Sequence, residues 1–181
     1  MKNILIIGCG LIGSSVLRAV HSRKLSKNIY IYEKSKKNIS IIKKLKIRFK
    51  TINKFNKINI NFDLVIFCTP MSQYSKIISK TNKFLTNETI VTDVGSTKEV
   101  SSKNVRKRLK KNTTWIPSHP IAGSEVSGAK YGEKNLFKNK WCVLIKEKNT
   151  KKIHLSKLKL FWEKLGAKVV MMNPKEHDLI F

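Results

Sequence analysis

A short apolar run, Ile4 to Ile7, leads straight into Gly8-Cys9-Gly10-Leu11-Ile12-Gly13; a helix-like stretch follows, and a second apolar run, Ile29 to Tyr32, ends on Glu33. No other part of the chain restricts the fold so tightly. Gly8 permits a tight turn out of a strand, Gly10 lets a phosphate approach bare backbone, and Gly13 lets a helix lie close against the sheet. The helix beginning at Leu11 and Ile12 offers unpaired N–H groups and a partial positive charge to that phosphate. Glu33 stands 20 residues past Gly13, where a carboxylate accepts from a ribose 2′-hydroxyl. This strand, glycine turn, helix, strand and acid together imply a dinucleotide site. The acid would repel a 2′-phosphate, which favours NAD over NADP. Lys34, Ser35, Lys36 and Lys37 follow directly, and such residues could accept a phosphate.

A chain of 181 residues buries one good core, or one domain and a fragment of another. The apolar run before Gly8 is too short for a secretion signal, and no run reaches the length of a membrane span. The three cysteines, Cys9, Cys68 and Cys142, are odd in number and scattered. They read as small core residues of a reducing compartment, the cytoplasm. No cysteine or histidine cluster suggests a metal. The formal net charge of +27 invites a nucleic-acid reading, but only five of the 38 basic residues are arginine. Recognition surfaces favour the forked guanidinium, so specific nucleic-acid binding is not expected. Non-specific attraction to polyanions is expected, and the positive field should gather an anionic substrate.

Strand and helix patterns alternate to the end of the chain. DLVIFCTP (63–70) reads as a strand buried on both faces, and 71–85 has helical spacing. TIVTDVGS (89–96) is a strand with a polar end. Residues 98–111 form a helix whose seven basic residues are most simply a solvated face. WCVLI (141–145) is a strand, Leu155 to Leu165 a helix stopped by Gly166, and 167–172 a last strand. Lys54 to Asn61 reads as a polar surface connection. The fold class is therefore α/β, a Rossmann-type doubly wound, mainly parallel sheet, with residues 1–172 as one dinucleotide-binding domain. Asn173-Pro174-Lys175-Glu176 has the form of a helix start, with Asn as cap and Pro first. Residues 173–181 then read as the beginning of a truncated helix, since one turn is not stable alone.

Ligands of such sheets bind beyond the carboxyl ends of the strands. The polar residues there are Thr69 and Pro70, Asp93 to Lys98, and SHPIAGSEVSG (118–128). His119 would lie in a small-residue loop on the cofactor side. A neutral imidazole there can take a hydroxyl proton as hydride leaves; otherwise it is a turn histidine bonded to backbone. His21 and His154 sit on helices and read as incidental, His154 on a surface helix. His177 follows the Asn-Pro start and could face the site.

GCGLIGSS, DLVIFCTP, TDVGSTK, HPIAGSEVSGA, LFKNKWCVLI and NPKEHD, in this order, resemble the prephenate dehydrogenase family, which includes arogenate and cyclohexadienyl dehydrogenases. The resemblance spans essentially the whole chain. It implies oxidation of the prephenate C4 hydroxyl by NAD⁺, with loss of the ring carboxylate as CO₂, to give 4-hydroxyphenylpyruvate in tyrosine biosynthesis. It implies that His119 accepts the hydroxyl proton, that Ser96 holds hydroxyl and histidine in register, and that His177 lies near the substrate. Lys98 and Glu125 fall in matching motifs, with roles in positioning or gating. Family members continue into an all-helical domain that forms a dimer and clamps the substrate carboxylates with arginine. That domain is missing from these 181 residues. A non-catalytic NAD-binding remnant, or a subunit needing a helical partner chain, is the competing expectation.

Overall fold

The computed structural model describes residues 1–123, 125–147 and 150–181; Ser124, within the HPIAGSEVSGA motif, lies outside the described residues. The chain runs β1 (Asn3–Ile7), α1 (Leu11–Ser22), β2 (Asn28–Tyr32), α2 (Lys36–Lys43), β3 (Lys50–Thr51), β4 (Leu64–Phe67), α3 (Tyr74–Thr81), β5 (Ile90–Asp93), α4 (Glu99–Arg108), β6 (Thr114–Trp115), β7 (Ser118–Pro120), β8 (Trp141–Ile145), α5 (Lys152–Lys164), β9 (Lys168–Met172) and α6 (Pro174–Ile180). Six strands pair in the order β3-β2-β1-β4-β5-β6, every pair parallel. The order reverses between β1 and β4, which opens a crevice beyond their carboxyl ends.

Alternation along β1 explains the layers. Ile4 and Ile6 pack with Val16, Leu17 and Val20 of α1 and with Leu158 and Trp162 of α5. Leu5 and Ile7 face the other way, toward Tyr74 and Ile78 of α3 and Val105 of α4. Burial on both faces is what an unbroken apolar strand requires.

The expectation of a single sheet needs correction. β7, β8 and β9 form a separate three-stranded sheet, antiparallel between β7 and β8 and parallel between β8 and β9. The break falls at Pro117, which has no N–H to donate into a ladder. Just beyond it the Ser118 N–H donates to the Asp93 side chain, Oδ1 at 3.1 Å, rather than to a backbone carbonyl. Cys142 and Leu144 of β8 still pack into the α1–α5 side of the core, so the two sheets share one interior. The 54–61 connection is also less polar in place than in sequence, because Phe55 is buried and stacks near Tyr32 and Phe84.

Two glycines carry the turns as their chemistry requires. Gly8 sits at φ +91°, and a Cβ on Gly13 would collide with the Gly8 carbonyl oxygen. Gly13→Ala must therefore push α1 off the strand, at a cost of about 3 kcal/mol, and lose NAD binding with it. Urea unfolding and calorimetric titration with NAD⁺ check both effects. At the other end of the core, Gly166 (φ +92°) closes α5: its N–H reaches the Glu163 carbonyl and the Ala167 N–H the Trp162 carbonyl. This is the paired-bond termination that a left-handed glycine allows.

Candidate active site

The first part of the site is the crevice at the β1–β4 reversal. It has a volume of about 190 Å³ and is lined by Gly8, Tyr32, Glu33, Thr69 and Pro70, among others. Gly10 caps α1 without a side-chain bond, and no acid occupies the first turn. A Cβ placed on Gly10 would meet nothing within 4 Å, so open space lies at the positive end of a twelve-residue helix. Leu11 and Ile12 begin that helix half-buried, and Gly13 is buried. Glu33 accepts from the Cys9 N–H at 2.6 Å and the Ser35 N–H at 2.7 Å. Those bonds use half of a carboxylate's four acceptor positions and hold it at the crevice edge. Thr69 Oγ1 is buried with no hydrogen-bond partner among the described residues. An open glycine, an uncapped helix start, an oriented acid and an orphan hydroxyl fit a dinucleotide.

The second part begins at Asp93, where β5 ends. Its carboxylate accepts from Lys98 Nζ at 2.8 and 3.0 Å, from Tyr74 OH at 3.0 Å, and from the Gly95 and Ser118 N–H groups. Both charged side chains are 0% exposed. Lys98 is thus no part of a solvated face, contrary to expectation; it is the one basic residue of that stretch drawn wholly inside. Ser118 Oγ donates to the Asp93 carbonyl at 2.6 Å. These bonds set β7, and with it His119, beside the carboxyl end of β5.

His119 lies in β7, paired with Val143 of β8, and not in a loop. Nor is it bonded to backbone. Its Nδ1 is hydrogen-bonded to His177 Nε2 at 2.8 Å; Nε2 has no hydrogen bond among the described residues. His177, on α6, is fully buried, and its Nδ1 is bonded to Asp178 Oδ1 at 2.6 Å. Asp178 in turn accepts from the Lys98 and Glu99 N–H groups, each at 2.8 Å, and so caps the start of α4. The short helix α6 is accordingly held twice: by Asn173, the expected cap, which forms a capping box with Glu176, and by Asp178. Phe181 packs edge-on to His119, ring centroids 5.7 Å apart.

Ser96 and Glu125 are not drawn into this chain. Both are exposed, and neither side chain has a hydrogen bond to His119 or His177. His154 is on a helix as expected but not on its surface: it is 2% exposed, with Nδ1 bonded to Thr114 Oγ1 at 2.6 Å. Asp93 and Asp178 are the residues that sequence reasoning passed over as individuals. The acid five positions before Lys98 in DVGSTK was the available signal for the first, and the acid following His177 for the second. A larger groove, about 800 Å³, lies at the opposite end of the sheet around Met1, Asp63 and Ile90 and holds none of these residues.

Burial, then the neighbouring Lys98 and His177, lower the His119 pKa to about 4 against the opposing pull of Asp178. Burial and Lys151 lower that of His154 as well. Both rings are therefore neutral when folded and take up protons more readily when unfolded, where the ordinary value is about 6.5. The unfolded state binds more protons in this window. Stability is then complete above about pH 6.5 and falls as pH drops toward 4. Urea midpoints measured across that range should decline, and His119→Asn should decline less steeply; equal slopes would contradict the shift.

A family model described as the prephenate dehydrogenase nucleotide-binding domain matches residues 16–171. A cyclohexadienyl dehydrogenase of Zymomonas mobilis is 28% identical over 98% of this chain and 60% of its own length. A prephenate dehydrogenase of Bacillus subtilis is 29% identical over 97% of this chain and 47% of its own. The crystal structure of the A. aeolicus prephenate dehydrogenase, in complex with hydroxyphenyl propionate and NAD⁺, superposes with a TM-score of 0.91 at 31% identity, over 100% of this chain and 63% of that one. The chain thus spans about half to three-fifths of the length of these curated relatives. With the match running from α1 through β9 and the fold agreeing from end to end, the chain belongs to the prephenate dehydrogenase family, as its nucleotide-binding domain.

Proposed function

We propose that the chain is the nucleotide-binding and proton-accepting part of an NAD-dependent dehydrogenase that converts prephenate, or arogenate, by oxidation and loss of CO₂. One observation carries this reading: the dinucleotide crevice and the His119–His177–Asp178 chain stand at the same carboxyl edge of the sheet. Gly8, Gly10, Leu11, Ile12 and Gly13 bring backbone N–H groups to the pyrophosphate. Glu33 accepts from the ribose hydroxyls, and Thr69 and Pro70 line the crevice wall. NAD, when bound, supplies the acceptor for hydride. Burial and Lys98 keep His119 neutral, so its ring can accept the substrate hydroxyl proton as hydride departs. His177 holds the His119 ring from behind. We assign Ser96, exposed on the loop between Asp93 and Lys98, to the substrate hydroxyl. The alignment of carbon and acceptor, rather than a strong acid, does most of the work in such a transfer.

Prephenate is a dianion, and Lys98, the buried cation nearest His119, is committed to Asp93. We therefore place the clamp for the substrate carboxylates outside residues 1–181, on a helical segment into which 173–181 lead from the domain formed by 1–172. That segment belongs to the same chain, to a homodimer mate or to a partner chain; the longer relatives support this. The test is NADH absorbance on mixing protein, NAD⁺ and prephenate, with arogenate and NADP⁺ in parallel, with and without the helical segment. NAD⁺-dependent turnover is expected. Absence of NAD⁺ binding would sink the proposal, and NAD⁺ binding without turnover when the segment is present would favour the non-catalytic NAD-binding remnant.

A further inference from the structure

We propose that Asp178 is a positioning residue: acting through His177, it fixes the tautomer of His119 and leaves Nε2 as the ring nitrogen that accepts a proton. Donors and acceptors alone decide the tautomer. Asp178 takes two backbone N–H bonds from the start of α4. Burial works against its charge, but the Glu99 N–H, the His177 ring and the Lys98 N–H outweigh it and hold the carboxyl below its usual range. An ionised carboxylate only accepts. His177 Nδ1, at 2.6 Å from it, must therefore carry hydrogen. A neutral imidazole has one N–H and one acceptor, so His177 Nε2 accepts. The atom 2.8 Å from it, His119 Nδ1, must then donate. That leaves a lone pair on His119 Nε2, the nitrogen without a partner among the described residues.

Three elements are fastened by this one line of bonds. β7 carries His119, α6 carries His177 and Asp178, and the α4 start receives the carboxylate. Asp178 thus does two separable things, since a helix cap needs only an acceptor, whereas the tautomer needs one without protons. Asparagine caps a helix nearly as well as aspartate but presents an N–H₂ as readily as an oxygen. In the serine-protease triad, an asparagine behind the histidine leaves the wrong tautomer and lowers kcat about 10⁴-fold.

The proton placement stands on geometry; the use of Nε2 as a base rests on the dehydrogenase reading above. Long-range ¹H–¹⁵N spectra of the histidine-labelled chain, taken at mildly alkaline pH where histidine is neutral, read the placement directly. His119 and His177 are both expected as Nδ1–H forms, with His119 Nε2 resonating as a bare ring nitrogen. Asp178→Ala should redistribute both rings toward Nε2–H, and Asp178→Asn, which keeps a cap on α4, should do the same if the alanine variant does not fold. With NAD⁺, substrate and the helical segment present, either variant should lose about tenfold or more in kcat with little change in KM for NAD⁺. A wild-type His119 in the Nε2–H form, or tautomers unchanged in both variants, would overturn the proposal. Tautomers as described in a protein without turnover, the helical segment being present, would instead count against the dehydrogenase reading alone.

Discussion

Asp93→Ala is expected to destabilise the protein by about 3–5 kcal/mol, the range for a buried ion pair that loses one member. Lys98 is left fully buried with its ammonium unpaired, and the Tyr74 hydroxyl and the Gly95 and Ser118 N–H groups lose their acceptor. That loss is a large share of the roughly 5–15 kcal/mol by which domains of this kind are stable. Urea unfolding should show a much lower midpoint with an unchanged slope. The double replacement Asp93→Leu with Lys98→Met should cost less than the two single changes summed, because both charges leave together. A decrease below about 1 kcal/mol for Asp93→Ala would mean that Lys98 reaches water. The pair also reaches into the chemistry. Lys98 is one of the neighbours that lower the His119 pKa to about 4, so removing its charge should move that value back up.

His119→Ala should lower turnover by about 10²–10⁴-fold, the usual contribution of a positioned proton acceptor, and leave NAD⁺ affinity nearly unaltered. The two effects separate because the residues of the crevice, Gly8, Glu33 and Thr69 among them, are not those of the histidine chain. Steady-state NADH formation gives the first quantity and calorimetry the second. Activity preserved in His119→Ala would remove His119 from the reaction. Equal loss of binding and turnover would mean that the substitution disturbed β7, which sits on Asp93 through Ser118. His119→Asn, closer in size, distinguishes that case.

How far these features could be read from sequence depends on the range of the forces behind them. The glycine turn and the Asn173–Glu176 capping box were legible because both are set by residues within a few positions, through backbone conformation and local bonds. The separate sheet of β7, β8 and β9 was not: WCVLI is apolar whichever strands it pairs with, and only the loss of a donor at Pro117 hints at the break. His119 was read as lying near the carboxyl ends of the strands but put in a loop, since a three-residue strand has no periodicity to detect. Lys98 was hidden among six other basic residues, and its burial depends on Asp93 across a turn. For His154 the signal was present, because 154, 158, 161 and 165 form one helical stripe with the buried Leu158, Phe161 and Leu165. The joining of His119 to His177, 58 residues apart, depends on α6 docking against α4 through Asp178, which no spacing rule foretells.

The central claim is that an imidazole stands beside the nicotinamide, facing the carbon that gives up hydride. The most direct measurement is the proton–proton Overhauser contact between the His119 ring and the nicotinamide ring in the NAD⁺ complex of the labelled protein. The account predicts that contact, together with a shift of the His119 ring signals on saturation with NAD⁺. NAD⁺ bound in the Gly8–Glu33 crevice with no such contact, and with His119 signals unmoved, would contradict it.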